Sequence, residues 1–143
     1  MTDNNGGRMS RLVSVFLIGL SITSAAFCES WVDVGADTEA KYYVDLDSIV
    51  LDNENVNVTK KGIYTRMMTE SFENDEPVVF KITQALVEID CARELNRVTK
   101  IDMVNDVGDV VWTSGYMDRR LWLSIKSQGH SRTTFDLVCA QVQ

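Results

Sequence analysis

Few residues in this chain could do chemistry. His130 is the only histidine, and Ser131 follows it. A Ser–His pair becomes a nucleophile system only when the imidazole reaches the hydroxyl in space and a third group orients the ring. Adjacency in sequence supplies neither, so His130 reads as a surface histidine near a helix start. Asp45 with Asp47, and Glu88 with Asp90, are carboxylate pairs two residues apart. In a strand that spacing puts both groups on one face. Glycoside chemistry needs such a pair in a cleft, with one pKa raised. Strands and turns offer solvent-facing positions instead. The cysteines Cys28, Cys91 and Cys139 form no C-x-x-C pair, and one histidine is too few to complete a zinc set. Thiol redox work needs neighbouring or exposed cysteines, and Cys91 and Cys139 stand far apart in sequence. No glycine-rich phosphate loop or basic–aromatic stripe is present. The chain reads as a non-enzyme with no cofactor and no metal site.

What remains is binding, where aromatic residues dominate the energetics. Tyr42 and Tyr43 are adjacent on an expected strand, so they point to opposite faces and one is left for solvent. Trp112 and Trp122 suit half-buried packing in strand and loop. Lys60 and Lys61, beside Gly62, make one local basic spot on an acidic chain. Tyr42, Tyr43, Lys60 and Lys61 are therefore the candidate partner surface.

The start of the chain points to a compartment. Arg8 and Arg11 lead into the apolar run Leu12 to Ile22, followed by small residues through Ala26. That is the order of a secretory signal. The run is 11 residues long, too short to span a bilayer comfortably. Cleavage after Ala26 leaves three cysteines, and cleavage after Cys28 leaves two. An odd cysteine is a liability in an oxidising compartment, which favours 1–28 as signal peptide and 29–143 as one mature domain. The bulky Phe27 argues against a lipidated Cys28. After export the two remaining cysteines, Cys91 and Cys139, would pair. From Glu29 onward 12 Lys and Arg face 20 Asp and Glu, a net charge of −8. That balance disfavours nucleic acid and anionic membranes.

The positioning elements are mostly strands. Glu29 to Gly35 and Ala40 to Val44 are rich in strand formers. Asp45 to Ile49 carries turn formers, with Asp47 or Ser48 able to cap a helical turn. Asp52 to Asn55 is a second turn. Val56 and Val58 alternate with polar residues, and a bulge is expected at Lys60-Lys61-Gly62 before the strand runs on to Met68. Thr69 to Pro77 is an acidic surface loop. Val78 to Thr113 reads as three antiparallel strands. Their apolar phase slips near Thr83-Gln84, from Phe80 and Ile82 to Ala85, Val87 and Ile89, which predicts a bulge or sharp twist there. Asn105 to Asp109 is a hairpin signal with Gly108 available for positive φ. Gly115 to Gln128 reads as a loop that packs Trp122 inward. Phe135, Val138, Cys139 and Val142 follow helical spacing, with Ser131 or Thr133 as the expected cap.

Taken in order, these pieces resemble the bacterial surface-adhesin protein E-like family. The resemblance rests on Trp31-Val32-Asp33-Val34-Gly35, on Tyr43 with Asp45 and Ser48-Ile49, on Glu88-Ile89-Asp90-Cys91, on Gly108 with Val110-Val111, on Trp122 and on Val138-Cys139. It implies an α+β fold: an antiparallel sheet of about six strands with a C-terminal helix on one face, tied by a Cys91–Cys139 disulfide. It also implies an exported, adhesin-like module, periplasmic or at the cell surface, that binds extracellular or envelope proteins. The alternative is a periplasmic carrier holding a small ligand between sheet and helix. A hydrolase built on His130 ranks last.

Overall fold

The computed structural model describes residues 30–73, 75–118 and 121–142. The expected signal segment, its cleavage sites and Cys28 lie outside the described residues. Among these residues seven strands and one helix follow in order: β1 Trp31–Ala36, β2 Ala40–Asp52, β3 Asn55–Glu70, β4 Val78–Asp90, β5 Leu95–Val104, β6 Val110–Thr113, β7 Leu123–Ser124 and α1 His130–Cys139. The sheet is an antiparallel meander in the order β1-β2-β3-β4-β5-β6, and β7 also pairs with β5. β6 takes Asp102 to Val104 and β7 takes Leu95 and Asn96, so both lie along one side of β5.

Side-chain chemistry closes each turn. Asp37 Oδ1 accepts from the N–H groups of Glu39 and Ala40 between β1 and β2. Asn53 takes a positive φ between β2 and β3. Asn105 Oδ1 accepts from Val107 and Asp109 N–H while Gly108 adopts φ 98°, the expected hairpin. Asp45 to Ser48 does not form a helical turn. It is an irregular excursion within β2, where the pairing with β3 shifts between Asp45 and Val50. Ser48 pins it, its Oγ donating to Asp45 O and accepting from Thr59 N–H.

Period-two alternation puts Val44, Val56, Val58, Val87 and Ile89 on the face that α1 covers with Phe135, Val138 and Cys139. The Cys91–Cys139 bridge joins the turn after β4 to the last residue of α1, with Cα atoms 5.8 Å apart. α1 starts without a side-chain cap: Gly129 precedes it at φ 91°, and Ser131 and Thr133 lie inside the helix. Neither expected residue caps it, because the helix begins one residue before Ser131 and Thr133 Oγ1 donates back to Gly129 O instead.

Three further expectations change. β4 has no bulge at Thr83-Gln84, since residues 82–89 pair without a break with β3. The phase change is real but means that both faces carry apolar residues, at opposite ends of one strand. The irregularities sit in its neighbours, between Ile63 and Met68 of β3 and around Val98 to Lys100 of β5. Lys60-Lys61-Gly62 is likewise unbulged, paired residue for residue on both sides. Glu88 and Asp90 are buried rather than solvent-facing. Glu88 accepts from Arg97 Nε at 2.6 Å and Asn55 Nδ2 at 2.8 Å, and Asp90 accepts from Arg93 Nε at 2.6 Å. Arg93 lowers the Asp90 pKa through that bond and its backbone N–H. These carboxylates are ionic partners inside the fold and not an acid–base pair.

Candidate functional site

The sheet and α1 do not close on each other completely. Toward the start of α1 they leave a half-open cleft of about 210 Å³. The strand phase explains why. On β3 the helix-facing positions run Val56, Val58, Lys60, Gly62, and on β4 they run Ile89, Val87, Ala85, Thr83. Large aliphatic residues give way to small or polar ones, so the apolar core thins into a cleft with an apolar floor and a polar rim.

Gly62 has a specific reason to be glycine. A Cβ there would meet the Tyr42 ring at 3.1 Å and Thr83 Oγ1 at 3.2 Å. The missing side chain lets the Tyr42 ring lie across β3. Gly62→Ala is expected to lower stability by about 1 kcal/mol and to move the Tyr42 ring resonances in NMR spectra. Unchanged ring shifts would show that the close approach constrains nothing.

Tyr42 joins a short chain of contacts. Its hydroxyl donates to Asp37 Oδ2 at 2.8 Å, and its ring stacks on the His130 imidazole with centroids 3.8 Å apart. Burial, then the Asp37 carboxylate, push the Tyr42 hydroxyl up to about 12. The N–H groups of Ala40 and Glu39, then Tyr42, pull Asp37 down. Lys60 Nζ lies 2.8 Å from His130 Nδ1. An ammonium can only donate, so Nδ1 is the acceptor and the imidazole proton sits on Nε2. Burial, then the Lys60 charge, lower the His130 pKa, and burial lowers the Lys60 pKa to about 8.

This arrangement differs from a nucleophile system. Ser131 Oγ is 3.5 Å from His130 Nδ1, the atom that Lys60 already occupies. The nearby Asp37 carboxylate bonds Tyr42 and not the imidazole. Among the described residues no group of three His, Cys, Asp or Glu side chains could hold a metal ion.

The candidate partner residues divide between two faces. Tyr42 and Lys60 line the cleft with His130. Lys61 also borders the cleft, but its side chain and Tyr43 belong to the opposite face, where the Lys61 ammonium lies 3.8 Å from the Trp31 ring centroid and 5.7 Å from that of Tyr43. Both tyrosines are half-buried, so neither is simply left to solvent. Sequence reasoning missed His130 as a cleft residue. Its partners Tyr42 and Lys60 are distant in sequence and come together only when α1 folds back over the sheet. Trp122 is half-buried with the Arg97 guanidinium 4.6 Å from its ring centroid. The stretch around it adds the short strand β7 that the loop reading lacked.

The family described as Surface-adhesin protein E matches residues 31–140. The chain belongs to this family. Membership makes it an adhesin-like protein, exported or at the cell surface. Among solved structures it is similar to protein E of Haemophilus influenzae, crystal form II, with a TM-score of 0.54 at 12% identity, covering 76% of this chain and 92% of that one. At that identity the likeness speaks for the fold alone. A search of curated protein sequences finds no match. Among the described residues no helix is long and apolar enough to cross a membrane.

Proposed function

We propose that this Surface-adhesin protein E member is a non-enzymatic binding module for extracellular or envelope proteins, exported by residues 1–28 to the periplasm or cell surface. Family membership over 31–140 carries the reading. The surface supports it. Val110 and Val111 on β6, and Leu121 and Leu123 at β7, are exposed, Leu121 at 80%. Val110, Val111 and Leu123 lie on the two short strands that end the sheet beyond β5, with Leu121 two residues before β7, where strand edges offer backbone groups for pairing with an extended partner segment. The oxidised exported protein, passed over immobilised matrix glycoproteins and envelope proteins, is expected to bind saturably at micromolar concentration or below. Leu121→Ser with Leu123→Ser should weaken that binding at least about tenfold, a loss of about 1.4 kcal/mol. No retained partner at about 10 μM would overturn the reading.

The cleft favours a second reading, a periplasmic carrier of a small ligand. Its floor of Ala85, Val87 and Val98 is apolar, as ligand sites usually are, and its few polar groups converge from β2, β3 and α1.

A further inference from the structure

Among the described residues, no side chain neutralises the cation that the cleft holds. Lys60 has three donor protons to place. His130 Nδ1 takes one at 2.8 Å, and the Tyr42 ring centroid lies 5.8 Å from the ammonium. Among the described residues no carboxylate forms an ion pair with Lys60; the ion pairs engage Arg93, Arg97, Lys100 and Arg132 instead. Asp37, the acid nearest this chain of contacts, is occupied by the Tyr42 hydroxyl and the N–H groups of Glu39 and Ala40. Proteins pair buried cations because leaving one unpaired is costly. Here the side facing the cleft is open, on a chain whose overall charge is −7.

The remaining lining narrows the missing partner. Thr83 and Asn96 add polar groups, while Ala85, Val87 and Val98 form the floor. Lys126 lines an adjoining hollow that shares Asn96, His130 and Ser131 with the cleft, and its charge reaches His130. A volume of about 210 Å³ is roughly that of seven liquid waters. We infer that the cleft binds a small monocarboxylate with an apolar body, its carboxylate on the Lys60 ammonium and its body on Ala85, Val87 and Val98. One ammonium matches one negative charge. The apolar floor gives inorganic phosphate or sulfate nothing to bind. This inference rests on the carrier reading and names its ligand class.

The test is a ¹H–¹⁵N NMR titration of the oxidised exported protein with hexanoate and benzoate, run beside the neutral hexanamide and benzamide. The acids are expected to shift Gly62, Thr83, Ala85 and Val98 saturably with Kd below about 1 mM, and the amides to bind at least about tenfold more weakly. Lys60→Met should remove the preference for acid over amide. Ala85→Leu, which fills the floor and keeps the ammonium, should abolish binding of both. Lys41→Met, on the exposed part of β2, should leave binding unchanged. Amides that bind as tightly as acids, or a Lys60→Met protein that keeps the preference, would overturn the carboxylate assignment and leave the carrier reading standing. No saturable shift from either set at about 10 mM would overturn both.

Discussion

Replacing Cys91 and Cys139 together by alanine is expected to lower stability by about 4 kcal/mol. The bridge spans a sequence separation of 48, and closing a loop of that size removes much of the freedom of the unfolded chain. The helix it holds has little else to secure its ends. α1 is 10 residues long, has no capping side chain, no acidic residue in its first turn and no basic residue in its last. A helix of that length is marginal by itself in water. It persists because Thr134, Phe135, Val138 and Cys139 are buried against the sheet. Urea unfolding followed by circular dichroism should show a lower midpoint in the double variant, with the helical signal lost before the sheet signal. An unchanged midpoint would mean that the apolar face of α1 suffices without the tether.

Lys60→Met is expected to act in the opposite direction and raise stability by about 2 kcal/mol at neutral pH. Methionine keeps the apolar stem and removes a desolvated ammonium, at the loss of one hydrogen bond to His130. The pH dependence gives this prediction its signature. The folded-state pKa of Lys60 is lowered from 10.5 to about 8. As pH falls from 10.5 to about 8, the unfolded chain takes up a proton at this site and the folded chain does not, so wild type loses stability relative to the variant. The advantage of Lys60→Met should therefore be full below about pH 8 and shrink as pH rises toward 10.5. The surrounding groups do not blur that window. Tyr42, at about 12, keeps its proton, Asp37 with its lowered pKa stays ionised, and His130 with its lowered pKa stays neutral. Lys126 adds a positive charge on the His130 side. Paired thermal or urea melts from pH 7 to pH 10 check this. A variant less stable than wild type at pH 7 would show that the hydrogen bond to His130 outweighs the desolvation of the ammonium. A residue that destabilises the fold and faces a cleft is the pattern of a binding group.

Much of the architecture was legible in the sequence because alternation and helical spacing report burial directly. Phe135, Val138 and Cys139 fell on one helical face and are buried together. Val56 and Val58 alternated with polar neighbours and are buried too. The Asn105 to Asp109 hairpin followed from turn chemistry that is local. Reading failed where a local rule had two explanations. Gly62 in a strand signals either a bulge or a close approach of another group, and the reason it is glycine is Tyr42, twenty positions earlier. Had β3 been taken as unbroken, Lys60 would have shared the phase of Val56 and Val58 and stood out as a charge facing the core. Glu88 and Asp90 looked like surface acids because Arg97, the partner of Glu88, lies beyond the turn after β4 and Arg93, the partner of Asp90, lies within it, and sequence does not announce such pairs. The phase change in β4 was seen but misplaced: alternation locates apolar residues on faces, and says nothing of which neighbouring strand carries the extra residues.

The meander has a bearing on how such a chain matures. Each of β1 to β6 pairs with its sequence neighbour, so the sheet can assemble hairpin by hairpin with short loop closures. Among the described residues only α1 reaches far back, to β1, β2 and β3. In a chain threaded N-terminus first through an export channel, Cys91 emerges with the sheet and Cys139 nearly fifty residues later. Until the helix docks, Cys91 is a single thiol at a turn, open to mixed disulfides with the thiol oxidases of the compartment. Oxidation to the intramolecular bridge would then coincide with the last assembly step. A free thiol at Cys91 or Cys139 would mark a molecule whose assembly is unfinished.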